Sequence, residues 1–238
     1  MKAIILAAGY ATRLYPLTLN KAKPLLEIGG KTVIDHILDK IKQTDITETI
    51  VVTNDKFYKD FETWNPGVTV LNDGTKNEQD RLESIGDINF ALKNVDEDFI
   101  IIAGDNLFTF DLNELLDFAK DKQYVITGRN LPSLEEAKKH GSIEEMDGTG
   151  RVIQFVEKPE NPKTKLSAIM MYCFKKEGKQ EIINYLETEY KKENPKTLIE
   201  WLTQKTEVYA WINDSTYFDI GDKEKLDEAE RWVNEHTS

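Results

Sequence analysis

Three short apolar runs, Ala3–Leu6, Ile50–Val52 and Val68–Leu71, alternate with stretches of a different rhythm. Between the first two, Val33, Ile34, Ile37, Leu38 and Ile41 recur at helical spacing over 31–43, which predicts a helix with one face inward. Between the second and third, Lys56 to Trp64 reads as a short helix closed by the turn Asn65-Pro66-Gly67. Strand, helix, strand, helix, strand implies βαβ units and a largely parallel sheet. Such sheets bind ligands outside the carboxyl ends of their strands. The segments after Leu6 and after Leu71 are therefore expected on one rim.

The pattern continues with a helix over 84–93, with Ile85, Ile88 and Leu92 inward, and then the most apolar run, Phe99 to Ala103, expected as a central strand. Gly104-Asp105-Asn106 ends it. Asp111 is a candidate cap for a helix over 112–120. Further strands are expected at 124–128, 142–146, 151–157, 166–174 and 208–212, with Asp147-Gly148-Thr149-Gly150 as a hairpin-type turn. Helices are expected at 134–139, 177–192 (Ile182, Ile183, Leu186 and Tyr190 inward), 198–204 and 223–232.

The first loop carries the chemistry. After Leu6, the residues Ala7, Ala8 and Gly9 have little or no side chain, so a ligand can approach the backbone closely and glycine can take positive φ. Successive N–H groups in such a turn form an anion-binding concavity. Arg13, Lys21 and Lys23 follow. Net charge is −12, which argues against general nucleic-acid binding and makes three clustered cations informative. Together these features suggest a polyphosphate site. Two other phosphate motifs fail: Gly29-Gly30-Lys31-Thr32 lacks the first P-loop glycine, because position 25 is Leu25, and no dinucleotide fingerprint follows the first strand.

No apolar run reaches membrane-spanning length, the N-terminus lacks the regions of a signal peptide, and cytoplasm is the expected compartment. The single cysteine, Cys173, is expected as a buried apolar residue, and His36 as a surface or packing residue.

From Leu6 to Leu25 the chain resembles the N-terminal signature of the sugar-1-phosphate nucleotidyltransferases: Leu6-Ala7-Ala8-Gly9-Tyr10-Ala11-Thr12-Arg13-Leu14, then Pro16-Leu17-Thr18, then Lys23-Pro24-Leu25. Ala11 stands where that signature has its second glycine, and Ala22 where it has a proline. Three more segments match in order: Gly104-Asp105-Asn106-Leu107-Phe108, then Gly141 to Pro159 ending in Glu157-Lys158-Pro159, then Tyr217-Phe218-Asp219-Ile220-Gly221. Three further places depart from the family: Glu83-Ser84-Ile85-Gly86-Asp87 differs from its Gly-Leu-Ala-type turn, Met171 is placed at its glycine beside the sugar pocket, and Asp222 stands at the last position of the final segment.

The resemblance implies one α/β domain over 1–238, a three-layer α/β/α fold with a mixed, mostly parallel sheet and an antiparallel subregion. Its nucleotide-binding part is expected over 1–130 and its sugar-phosphate part over 131–238. The implied reaction joins an NTP and a sugar 1-phosphate into an NDP-sugar and pyrophosphate, with Mg²⁺ as cofactor. Arg13 and Lys23 are then catalytic. Leu6, Ala7, Ala8, Gly9, Asn72 and Gly104 hold the nucleotide, Gly141, Glu157 and Lys158 hold the sugar phosphate, and Asp105 and Asp219 hold the metal. Base, sugar and oligomeric state stay open. A cytidylyltransferase for a non-sugar phosphate such as phosphocholine or a phosphonate, and a nucleotide-sugar-sensing domain without turnover, are the alternative readings.

Overall fold

The computed structural model describes residues 1–190 and 194–236. In chain order the elements begin with β1 (Lys2–Leu6), β2 (Glu27–Ile28), β3 (Lys31–Thr32), α1 (Val33–Ile41), β4 (Glu48–Thr53), α2 (Tyr58–Trp64) and β5 (Thr69–Asn72). Next come α3 (Glu83–Leu92), β6 (Phe99–Ala103), β7 (Asn106–Phe108), α4 (Leu112–Ala119), β8 (Tyr124–Asn130), α5 (Leu134–Ala137), β9 (Gly141–Met146) and β10 (Val152–Glu157). The chain closes with β11 (Leu166–Phe174), α6 (Lys179–Leu186), α7 (Pro195–Thr203), β12 (Tyr209–Ile212), β13 (Tyr217–Asp219) and α8 (Lys223–His236). This is an α/β fold with a mixed sheet, as expected.

Two compact units form, each drawing on several stretches of sequence. The first holds Met1–Leu82, Ile102–Leu112 and Ser215–Ser238; the second holds Glu83–Ile101 and Asn113–Asp214.

In the first unit β1, β4 and β5 run parallel in the order β1-β4-β5, and the end of β6 lies beside β1. The helix α1 starts at a capping box: the Thr32 hydroxyl accepts from the Asp35 backbone, and the Asp35 carboxylate accepts from Thr32, satisfying donors that a helix start leaves unpaired. Its inward face is the expected one, with Val33, Ile34, Ile37, Leu38 and Ile41 buried. A core cluster of Ile28, Val33, Leu107, Phe218, Ile220, Ala229 and Val233, with Leu226 and Trp232 against it, ties the C-terminal α8 to β2, β7 and β13. Gly29 makes this approach possible. It sits at φ +59°, and a Cβ there would lie 2.3 Å from Val233 Cγ1.

In the second unit the antiparallel pairs β10–β9, β9–β11 and β11–β8 are joined by the parallel pair β12–β8. The hairpin turn between β9 and β10 has Gly150 at φ +88°, and Asp147 Oδ1 accepts from Thr149 and from the Arg151 N–H. Phe174 packs edge-on against Phe99 and Tyr124 in the core. Cys173 is buried, and burial pushes its thiol up to about 12. It is therefore inert packing, as expected.

Several elements differ from the reading of the sequence. The helix expected over 177–192 ends at Leu186, where Glu187 caps it through a bond to Asn184 O. Tyr190 is 40% exposed rather than inward; Lys191 and Lys192 lie outside the described residues. The helix expected from Leu198 starts at Pro195, because Asn194 caps it and Pro195 occupies its first turn. Met171 is fully buried in β11, so none of its surface is open to solvent. The register of β11 against β8 shifts between Ile169 and Tyr172, a bulge that turns Met170 and Met171 out of the regular alternation.

Candidate active site

In the first unit the end of β6 is built around Gly104. Its N–H donates to Leu6 O at 2.9 Å, and a Cβ at this position would lie 2.8 Å from that same oxygen and 3.1 Å from Pro24 Cγ. Backbone and proline packing alone thus require a glycine at 104. The contact also aligns two sequence neighbours: Lys23, before Pro24, meets Asp105, after Gly104. The Lys23 Nζ donates to Asp105 Oδ2, and both side chains are mostly covered, at 14% and 23% exposure.

Strands β7 and β13 pair antiparallel with Asp219 opposite Asn106, and the Ile220 N–H donates to Asp105 O at 3.1 Å. The exposed Asp219 is thereby set beside Asp105. Tyr217 strengthens the pair by donating to Asn106 Oδ1 at 2.9 Å. Arg13 comes from the short 3-10 turn Thr12–Leu14. A methyl on Gly221 would sit 3.8 Å from both terminal guanidinium nitrogens of Arg13 and 3.9 Å from Asp219 Oδ1, so guanidinium and carboxylate face the same side of that glycine. Arg13, Lys23, Asp105 and Asp219, drawn from three matched segments, meet in one unit.

The loop after β1 is held through its backbone by β4 and by the Asn54 side chain just beyond it. Ala7 N–H donates to Val52 O, and Asn54 Nδ2 donates to Ala8 O at 2.8 Å. Gly9 is exposed, with open space beside it. The left-handed residue is not Gly9 but Ala11, at φ 49° and ψ 43°, pinned by the buried Thr18, whose hydroxyl donates to Ala11 O. Asn72 ends β5 with its amide engaged locally: Nδ2 donates to Asp55, and Oδ1 accepts from Gly74. Behind this loop Asp73 Oδ2 is buried without a partner.

The second unit holds a separate constellation. Glu157 closes β10, and its Oε1 accepts from Asn194 Nδ2. Its Oε2 is buried and unpartnered, as is the hydroxyl of the fully buried Tyr172. Gly141 gives the carboxylate room: a Cβ there would lie 2.6 Å from Phe155, 2.8 Å from Glu157 Oε2 and 2.8 Å from the Lys196 stem. Burial raises the Glu157 carboxyl above the ordinary carboxylate range, against the opposing pull of Lys196, Lys158 and Asn194. Burial, then the charge of Lys196, lowers His140. Lys158 is exposed in a left-handed conformation, its N–H donating to His140 O. Tyr172, Asn194 and Lys196 escaped the reading of the sequence. The Asn-Pro helix start at 194–195 was a usable signal for two of them; the bulge that places Tyr172 had none.

Among the described residues no group of three or more His, Cys, Asp or Glu gathers as a metal site. Two adjacent carboxylates still fit Mg²⁺, which takes one or two carboxylates and completes its shell with water and phosphate oxygens. No described helix is long and apolar enough to cross a membrane.

A family model described as nucleotidyl transferase matches residues 2–236. The bifunctional protein GlmU of Methanocaldococcus jannaschii is 32% identical over 178 residues, covering 74% of this chain and 40% of that protein. A glucose-1-phosphate adenylyltransferase of Thermosipho africanus is 30% identical, covering 92% of this chain and 58% of the relative. Mannose-1-phosphate guanylyltransferase 1 of Arabidopsis thaliana is 31% identical, covering 67% and 46%. The chain spans about half the length of the curated relatives it matches. Among solved structures, one described as a glucose-1-phosphate thymidylyltransferase from Bacillus anthracis, bound to sucrose, superposes with a TM-score of 0.81 at 22% identity, covering 98% of this chain and 95% of that one. That likeness establishes the fold.

Proposed function

This chain belongs to the nucleotidyl transferase family, and we propose that it joins an NTP to a sugar 1-phosphate, giving an NDP-sugar and pyrophosphate. The observation that carries this reading is the meeting of Arg13, Lys23, Asp105 and Asp219 in one unit. Relatives named for glucose 1-phosphate and mannose 1-phosphate support the substrate class.

No protein nucleophile is needed. An oxygen of the acceptor phosphate attacks the α-phosphorus, and pyrophosphate leaves. Catalysis is then positioning and charge neutralisation. Arg13 stabilises charge on the triphosphate. Lys23 offsets repulsion between the nucleotide and the acceptor phosphate. Leu6, Ala7, Ala8 and Gly9 line the backbone approach to the nucleotide, with Asn72 at the end of β5 on the base side. Asp105 and Asp219 are the residues that would hold Mg²⁺, which when bound polarises the α-phosphate and orients the leaving group.

In the second unit Glu157 accepts from sugar hydroxyls and Lys158 meets the acceptor phosphate, while Gly141 makes space for the Glu157 carboxylate. With Met171 buried, its bulk no longer favours a non-sugar phosphate. The test is pyrophosphate release across the four NTPs and a panel of phosphorylated substrates. Turnover with a sugar 1-phosphate is expected. Turnover confined to phosphocholine or a phosphonate, or binding of nucleotide-sugar without turnover, would replace this reading.

A further inference from the structure

We infer that Lys23 and a divalent cation are alternative occupants of the Asp105 carboxylate, so that the lysine guards the metal site until nucleotide arrives. The inference rests on the reading of Asp105 as a metal ligand given above. Its own observation is the direct ion pair from Lys23 Nζ to Asp105 Oδ2.

The backbone around this pair is fixed. Lys23 opens a 3-10 turn whose Leu26 N–H returns to Lys23 O at 3.0 Å. Pro24 is wedged against Gly104, which is bonded to Leu6. Exchange is therefore confined to the four-carbon stem of Lys23, which turns while the two loops stay in place. An ammonium and a dication cannot share one carboxylate oxygen at contact distance, because like charges at such separations repel strongly wherever water is partly excluded. The low exposure of both side chains limits screening by salt. A cation arriving alone must displace the ammonium with nothing to receive it. A cation arriving with a polyphosphate brings anions that accept both charges. The same lysine thus opposes free metal and favours metal-bound nucleotide.

This predicts opposite signs for one substitution. Neutralising Lys23 should abolish most turnover yet strengthen binding of the bare cation. A lysine that serves only as a phosphate contact would leave bare-cation affinity unchanged. The probe is Mn²⁺ without nucleotide, titrated into the full chain and followed by the electron paramagnetic resonance of the free ion. Lys23→Met should bind Mn²⁺ about tenfold tighter than the parent, or more, equivalent to about 1.4 kcal/mol. Lys23→Arg should keep the parent affinity. Lys23→Gln carries the same expectation as the methionine variant, and circular dichroism melts establish that each variant is folded. Asp105→Asn separates the two levels of argument. If it weakens Mn²⁺ binding while the neutral Lys23 variants bind like the parent, the exchange is wrong and the metal site stands. If it leaves Mn²⁺ binding unchanged, the metal assignment fails and the exchange fails with it.

Discussion

Gly104 and Gly9 look alike in sequence, each a glycine just past a buried strand, yet the structure gives them opposite tolerances. A Cβ on Gly104 would lie 2.8 Å from Leu6 O, 3.1 Å from Pro24 Cγ and 3.3 Å from Ile5 Cγ2. The nearest of these is a backbone oxygen already accepting the Gly104 N–H, so it cannot yield without breaking a strand contact. Overpacking of this kind costs about 1–3 kcal/mol. For a chain of 238 residues, each kcal/mol moves Tm by about 2–4 °C, so Gly104→Ala should melt about 2–12 °C below the parent. Gly9 has nothing within 4 Å of that position, and its φ lies outside the left-handed region. Gly9→Ala should therefore hold Tm or raise it, since stiffening the unfolded chain contributes about 0.4–1 kcal/mol. Its cost should fall on function, as a higher KM for NTP, because the added methyl occupies the nucleotide's approach. Circular dichroism melts and pyrophosphate-release kinetics on both variants check this. A Gly104→Ala melt within about 1 °C of the parent, or a Gly9→Ala melt as low as that expected for Gly104→Ala, would refute the packing argument.

Three further outcomes are expected. Ala11→Gly should raise Tm by about 1–4 °C, since a left-handed L-residue costs about 1–2 kcal/mol and glycine returns only about 0.5–1 kcal/mol of that as entropy; a lowered melt would contradict it. Glu157 has a folded pKa above its unfolded one, so its folded state binds protons more tightly and its contribution to stability declines as pH rises through the window between those values. Glu157→Gln should thus melt close to the parent at pH 4 and above it at pH 7, with a raised KM for the sugar phosphate; a stability difference that does not grow with pH counts against the burial argument. Asp105→Asn and Asp219→Asn should each depress turnover, and the double variant should be little worse than the poorer single one, because groups acting as a unit are non-additive. Fully multiplicative losses would separate the two carboxylates.

The sequence by itself determined the α/β class and the inward faces of helices such as α1. The capped α1 with its five buried apolar residues and the fully buried Phe99–Ala103 strand were legible because periodicity and capping chemistry act within a few residues. Arg13, Lys23, Asp105 and Asp219 were named differently, by the resemblance of their segments to the family's signatures. Tertiary structure decided what those segments do to one another. Lys23 and Asp105 stand 82 positions apart, and they meet because Pro24 packs on a glycine whose missing Cβ no spacing rule reports. Asp219 reaches them only because Val233 of α8 fits over Gly29 and the Ile28 cluster holds β13 against β7. Ala11, where the family signature has glycine, and Glu83, at the helix entry that departs from the family's turn, both adopt left-handed backbone at φ 49° and 61°. Side-chain identity sets only a local preference of about 1–2 kcal/mol against such a conformation, and at Ala11 the bond from the buried Thr18 hydroxyl helps to hold it.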